Sequence, residues 1–191
     1  MGMEKKVYIL LSDTGSFFTK LIKLFTKKRY NHASISLDAA LSDVYSFGRK
    51  KAGNPFVGGF VKEDVKQGLF TQADCAIYAL SVTEFQFNQM KSFIQEIESE
   101  KESYRYNFLG LFGFIIKRPI KREKALFCSQ FVASVLKGCH IIQFEQPLSL
   151  IAPCDLQELS ELKLVYEGTL KAYHKGTGEV WNVPASMMPA K

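Results

Sequence analysis

Two residues of this chain have the chemistry of a nucleophile and its base. Cys128 stands in "ALFCSQFVASVLKG", where an apolar stretch turns into a helical pattern, and His32 stands in "YNHASISLD", on the polar side of an alternating strand. A thiol in the first turn of a helix lies at the positive end of the macrodipole, which favours the thiolate and lowers its pKa below the free value of about 8.5. The N–H groups of that turn can also face an oxyanion forming on an attacked carbonyl. A nucleophile needs a base within hydrogen-bond reach. Of the three histidines, His140 follows the end of the helix and His174 falls in a charged, Gly-containing turn, which leaves His32. The competing reading of Cys128 is packing, because a thiol flanked by Leu126, Phe127 and Phe131 also suits a small buried hydrophobe. Cys75, Cys139 and Cys154 read as packing or incidental thiols.

The elements around His32 supply a third candidate. Residues 31–38 alternate, with His32, Ser34 and Ser36 on one face and Ala33, Ile35 and Leu37 on the other. A second strand, DVYSFG at 43–48, follows after a very short loop, so the two form an antiparallel hairpin. A turn centred near Ala39 pairs Ser46 with His32, where its hydroxyl would hold one imidazole nitrogen while the other faces the thiol. A register shift of two would bring Gly48 or Val44 there instead. Asn31 and Arg49, which flank these strands, together with Asp13 and the candidate cleft-wall residue Tyr106, are the candidates to touch substrate. Asp13, in the loop after the first strand, and Glu63, in "GGFVKED", carry charge that the sequence does not place.

The remaining pattern is α+β. VYILLS (7–12), AIYALSV (76–82) and KLVYEGTL (163–170) read as strands, and residues 17–25 repeat apolar side chains at helical spacing. The segment AGNPFVGGF is rich in turn residues and reads as a loop. Thr83 and Gln86 make a capping box opening a helix that runs to about Ser103, with Phe87, Met90, Ile94 and Ile97 on its inner face. A second helix spans Ser129–Lys137 and stops at Gly138.

Composition bounds the function. The 191 residues are 47% hydrophobic and 23% charged, which suits one folded domain over 1–191 and argues against disorder. No stretch reaches the roughly 18 apolar residues of a membrane span, and no secretory leader pattern opens the chain, so a cytoplasmic protein is expected. The cysteine spacing fits neither a disulfide framework nor zinc, and no cofactor or metal is called for. The net charge of +6 fits either a solvated basic face or attraction to an anionic partner. No nucleic-acid-binding pattern accompanies the basic runs, whereas "NFLGLFGFIIKRPIKR" sets bulky apolar residues beside cations, a composition suited to peripheral contact with an anionic membrane or to an amphiphilic ligand.

"YNHASISLD", "VYSFGRK" and "ALFCSQFVASVL", with "YNFLGLFG" before the last and "APCDLQEL" after it, resemble the core motifs of the circularly permuted NlpC/P60 papain-like family, the YiiX/YaeF-like group. In that family the His-bearing strand precedes the helix carrying the nucleophilic Cys, matching the order His32, Ser46, Cys128. The resemblance spans Val7 to about Leu159 and implies a small antiparallel sheet or barrel packed against helices. It implies hydrolysis of amide or acyl bonds through a thioester, with Cys128 as nucleophile and His32 as general base. Ser46 falls where relatives often carry Glu or another polar residue, and a hydroxyl orients an imidazole without stabilising imidazolium as a carboxylate would. The resemblance therefore leaves two readings. One is a thiol hydrolase or acyltransferase acting on a peptide, small-molecule or lipid-like acyl substrate, and the other is a non-catalytic ligand- or membrane-surface-binding domain on the same fold.

Overall fold

The structure, a computed structural model, describes residues 4–15, 28–51, 54–107 and 124–176. The helix expected over 17–25, the apolar–basic run over 108–123 and the tail after 176 lie outside the described residues, as does the side chain of Arg49. Six strands, β1 (Glu4–Asp13), β2 (His32–Ser36), β3 (Val44–Lys51), β4 (Asn54–Glu63), β5 (Asp74–Thr83) and β8 (Lys163–Thr169), form one antiparallel sheet in the order β4-β3-β2-β1-β5-β8. The sheet keeps two edges, β4 and β8, so it is open and not the closed barrel that was one of the two expected forms. β6 (Arg105–Tyr106) and β7 (Ala125–Leu126) pair in parallel as a separate two-stranded ribbon.

β1 explains why an apolar run with no alternation still makes a strand. Ile9, Leu10 and Leu11 are all fully buried because both faces of the sheet are covered. Ile9 and Leu11 join the larger core beneath helices α1 (Glu84–Ser99) and α2 (Cys128–Gly138), while Leu10 joins a smaller one with Val65, Leu170 and Tyr173. The expected capping box opens α1: Gln86 N–H donates to Thr83 Oγ1 at 3.1 Å and Thr83 N–H to Gln86 Oε1 at 3.0 Å. The helix ends at Ser99, short of the expected Ser103, where residues 100–103 close turns of their own. Among the described residues two shorter helices follow, α3 (Pro153–Gln157) and α4 (Leu170–Gly176), and His174, expected in a turn, lies in α4.

The segment expected as a loop at 52–60 is instead largely strand: β4 pairs with β3 from Lys51–Asn54 to Val44–Glu63. Its turn-prone residues survive because β4 is an edge strand, which tolerates Pro and Gly better than a central one. Among the described residues no helix is long and apolar enough to cross a membrane.

The helix bearing Cys128 is seated by Phe131, fully buried, whose ring centroid lies 5.3 Å from that of Phe47 and 5.7 Å from that of Phe60. Phe131→Ala is expected to cost about 3–5 kcal/mol of stability, read from the urea midpoint. Phe85→Ala, at a position 70% exposed, should stay within about 0.5 kcal/mol of the parent protein.

Candidate active site

His32 is the first residue of β2, and its cross-strand partner on β1 is Ser12. On its other side β2 pairs with β3 only at Ile35–Tyr45 and Ser36–Val44. This register differs by two from the expected one. Continued along the strands, it sets Ser46 opposite Ser34 and Gly48 opposite His32. A Cβ built on Gly48 would lie 3.7 Å from His32 Cε1 and 3.6 Å from Ser46 Oγ. The turn therefore centres one residue later than the sequence suggested, and Ser46 does not oppose the imidazole.

Ser46 acts through a carboxylate instead. Glu63, the last residue of β4, accepts from Ser46 Oγ at 2.6 Å and from His32 Nε2 at 2.7 Å on one oxygen, and from Ser34 Oγ at 2.5 Å on the other. The small side chains at 34, 46 and 48 leave room on this face for the Glu63 carboxylate to reach across β3 to β2. Both serines are fully buried, and the side chains of His32 and Glu63 are 14% and 6% exposed.

Cys128 is the first residue of α2, after Phe127 in extended conformation at the N-cap. The rung that would join Ala33 to Phe47 is not made, and the N–H of Ala33 instead donates to the Cys128 sulfur, as does the N–H of Ser129. The His32 ring bonds the same sulfur. With Nε2 held by Glu63, Nδ1 is the nitrogen left for it. Ser129 Oγ donates to the carbonyl of Ile151 at 2.7 Å, tethering the first turn of α2 to the chain beyond the helix.

These contacts set the charges. Burial alone would push the Cys128 thiol up, but the bond to His32, the imidazolium charge and the two backbone N–H donors outweigh it and hold the thiol below its ordinary value. Burial would likewise depress His32, yet the Glu63 carboxylate and the Cys128 sulfur raise it well above 6.5. Glu63, which burial would raise, is held below 4.5 by His32 and the two serine hydroxyls. All three shifts favour the same arrangement, thiolate, imidazolium and carboxylate in line. By contrast burial pushes Cys75 up to about 12 and raises Cys139 and Cys154.

Tyr106 also meets the site: burial pushes its phenol up well beyond the ordinary value and the charge on Cys128 adds to that, so it stays protonated. Asn31 is buried beside His32, its backbone N–H donating to the Ser12 carbonyl at 3.2 Å and its amide to the Arg29 carbonyl at 3.4 Å. Asp13 ends β1 and accepts from Gly15 N–H at 3.2 Å, closing a turn. The backbone of Arg49 pairs with Gly58 in the β3–β4 ladder.

The carboxylate at the imidazole is thus Glu63, a residue noticed in the sequence but not placed there. Reading 52–60 as a loop hid the signal. Once that segment is a strand paired with β3, Glu63 falls opposite Val44, two residues from Ser46 on the same face. Comparisons with family models, curated proteins and solved structures give no match to this chain.

Mapped alkylation by a compact electrophile should modify Cys128 at pH values where Cys75, Cys139 and Cys154 are unreactive, and His32→Ala should raise the pH at which Cys128 reacts. Equal rates at all four thiols would contradict the charge assignment. Glu63, lowered in the folded chain, contributes stability that is fully present above pH 4.5 and lost as the pH falls through its folded value. Glu63→Gln leaves the imidazolium without its buried partner and is expected to cost about 3–5 kcal/mol at neutral pH, with the acid-side loss flattened in a denaturant series taken from pH 7 downward.

Proposed function

We propose that this chain is a thiol hydrolase or acyltransferase of the permuted NlpC/P60 papain-like kind, with Cys128 as nucleophile, His32 as acid and base, and Glu63 as the orienting carboxylate. The observation that carries this reading is the unbroken chain from Ser34 and Ser46 through Glu63 and His32 to the Cys128 sulfur. A carboxylate, an imidazole and a thiol linked in that order are the parts of a cysteine acyl-transfer site. Glu63 supplies the acidic partner whose lack would favour a non-catalytic domain on the same fold, and so supports the catalytic reading.

In the first half-reaction the Cys128 thiolate attacks the substrate carbonyl carbon, forming the C–S bond. The carbonyl π electrons move to oxygen, where first-turn N–H groups, that of Cys128 among them, can face the charge. His32 then gives its Nδ1 proton to the departing amine or alcohol as the C–N or C–O bond breaks, leaving a thioester. In the second half-reaction water, or an acceptor hydroxyl or amine, gives a proton to His32 and attacks the thioester. The new acyl product leaves, and thiolate and imidazolium are restored. Glu63 keeps the ring oriented and its cation stabilised throughout.

The substrate class we infer is an amphiphilic acyl compound. β6 ends at Tyr106, beside Cys128, and β7 leads into Cys128, while the sequence joining them carries the run "FLGLFGFIIKRPIKR". Apolar bulk next to cations suits an acyl chain with an anionic head.

Incubation with ester, thioester and peptide panels, followed by intact-mass analysis, should reveal an acyl adduct on Cys128 that Cys128→Ala abolishes. Turnover of the substrate so found should fall by about 10²–10⁴-fold in His32→Ala. Ser46→Ala, which removes one of three bonds to Glu63, should cost only about tenfold, roughly one hydrogen bond's net worth. Loss of turnover in none of the three would overturn the proposal.

A further inference from the structure

The strap formed by β6 crosses the edge strand β4 at two glycines. A Cβ built on Gly58 would lie 2.7 Å from Tyr106 Cβ, 3.3 Å from Tyr106 Cγ and 2.9 Å from the carbonyl oxygen of Gly48. A Cβ on Gly59 would lie 2.8 Å from the carbonyl oxygen of Tyr104. Neither glycine is among those with positive φ, so space, and not backbone conformation, excludes a side chain at these positions. The strap is held on its other side by β7: Arg105 N–H donates to the Lys124 carbonyl at 2.8 Å and Asn107 N–H to the Leu126 carbonyl at 2.9 Å. Tyr106 is therefore clamped between the bare backbone of β4 and the strand that runs into Cys128.

We infer that Gly58 is a positioning residue for the site: by lacking a side chain it lets Tyr106 lie close against β4 and so fixes the wall that controls which molecules reach the Cys128 sulfur. Cys128 is only 4% exposed, so its reach to solvent depends on the few groups around it, and Tyr106 stands opposite Leu126 in the β6–β7 ribbon, two residues before Cys128. Gly58 touches neither sulfur nor imidazole. It acts through Tyr106 on one side and through the Gly48 carbonyl, on the residue opposite His32, on the other. The inference rests on the assignment of Cys128 as the reacting atom, but its test does not need turnover.

The test compares second-order alkylation of Cys128 by iodoacetamide and by a bulky fluorescein maleimide, mapped by mass spectrometry, in the parent protein, Gly58→Ala, Tyr106→Gly and the double variant. A side chain at 58 pushes the Tyr106 wall outward, so Gly58→Ala should raise the bulky-to-compact rate ratio severalfold. Tyr106→Gly should raise it in the same direction, and the double variant should show no further rise. A parental ratio in Gly58→Ala or in Tyr106→Gly, or full additivity in the double variant, would overturn the inference. If Gly58→Ala fails to fold, because the 2.9 Å contact with the Gly48 carbonyl remains whatever stands at 106, the ratio in Tyr106→Gly alone decides: a parental ratio there overturns the inference. A ratio that behaves as described while no acyl adduct ever forms on Cys128 would separate the wall from the proposed chemistry.

Discussion

A carboxylate buried between three strands can remain ionised only if its surroundings replace the water it has lost. Glu63 meets that demand with one cation and two hydroxyls: His32, Ser34 and Ser46 all donate to it. The rest of the site follows from this interaction. An ionised Glu63 favours a protonated imidazole, and a protonated imidazole favours the thiolate at a sulfur that burial alone would push towards the neutral thiol. Remove the carboxylate charge, and the imidazolium loses its buried counter-ion, leaving the sulfur only the backbone donors of Ala33 and Ser129.

The fold serves that chain of charges through a local failure of regularity. β2 and β3 pair at only two positions and then part, and the N-terminal turn of α2 meets the sheet where they do. Ala33 N–H, which a continued ladder would have used, is spent on the sulfur. The first turn of α2 adds a second donor in Ser129 and is itself tethered to Ile151. Packing supplies the rigidity: Phe131, one helical turn after Cys128, is enclosed by Phe47 and Phe60 from the two strands that bring Ser46 and Glu63. The same strands that carry the polar site on one face hold the aromatic core on the other, as the two-residue alternation requires.

Much of this was legible in the residues themselves. The alternation at 32–36 put His32, Ser34 and Ser36 on one face, Thr83 and Gln86 announced the start of α1, and the apolar periodicity after Cys128 placed the thiol at a helix start, all as the structure has them. Two features were hidden for physical reasons. A hairpin register depends on turn geometry that composition does not fix, and a slip of two preserves the facing pattern, so the alternation could not distinguish Ser46 from Gly48 opposite His32. β4 was obscured because its glycines serve close approach of the β6 strap instead of a turn, and that requirement exists only in three dimensions. Missing the strand meant missing the position of Glu63. Of the sheet and the barrel, both expected, the structure has the open sheet, a choice set by edges that no single strand pattern reveals.

The central claim is that Cys128 exists as a thiolate paired with imidazolium at neutral pH. The most direct measurement is a titration of the thiolate ultraviolet absorbance of the folded protein, with Cys128→Ala as the difference reference. One equivalent of thiolate absorbance should persist below the ordinary thiol range, belong to Cys128, and shift toward a normal thiol titration in Glu63→Gln. Absence of any Cys128-dependent thiolate signal until the pH reaches the range of an ordinary or buried thiol would contradict it.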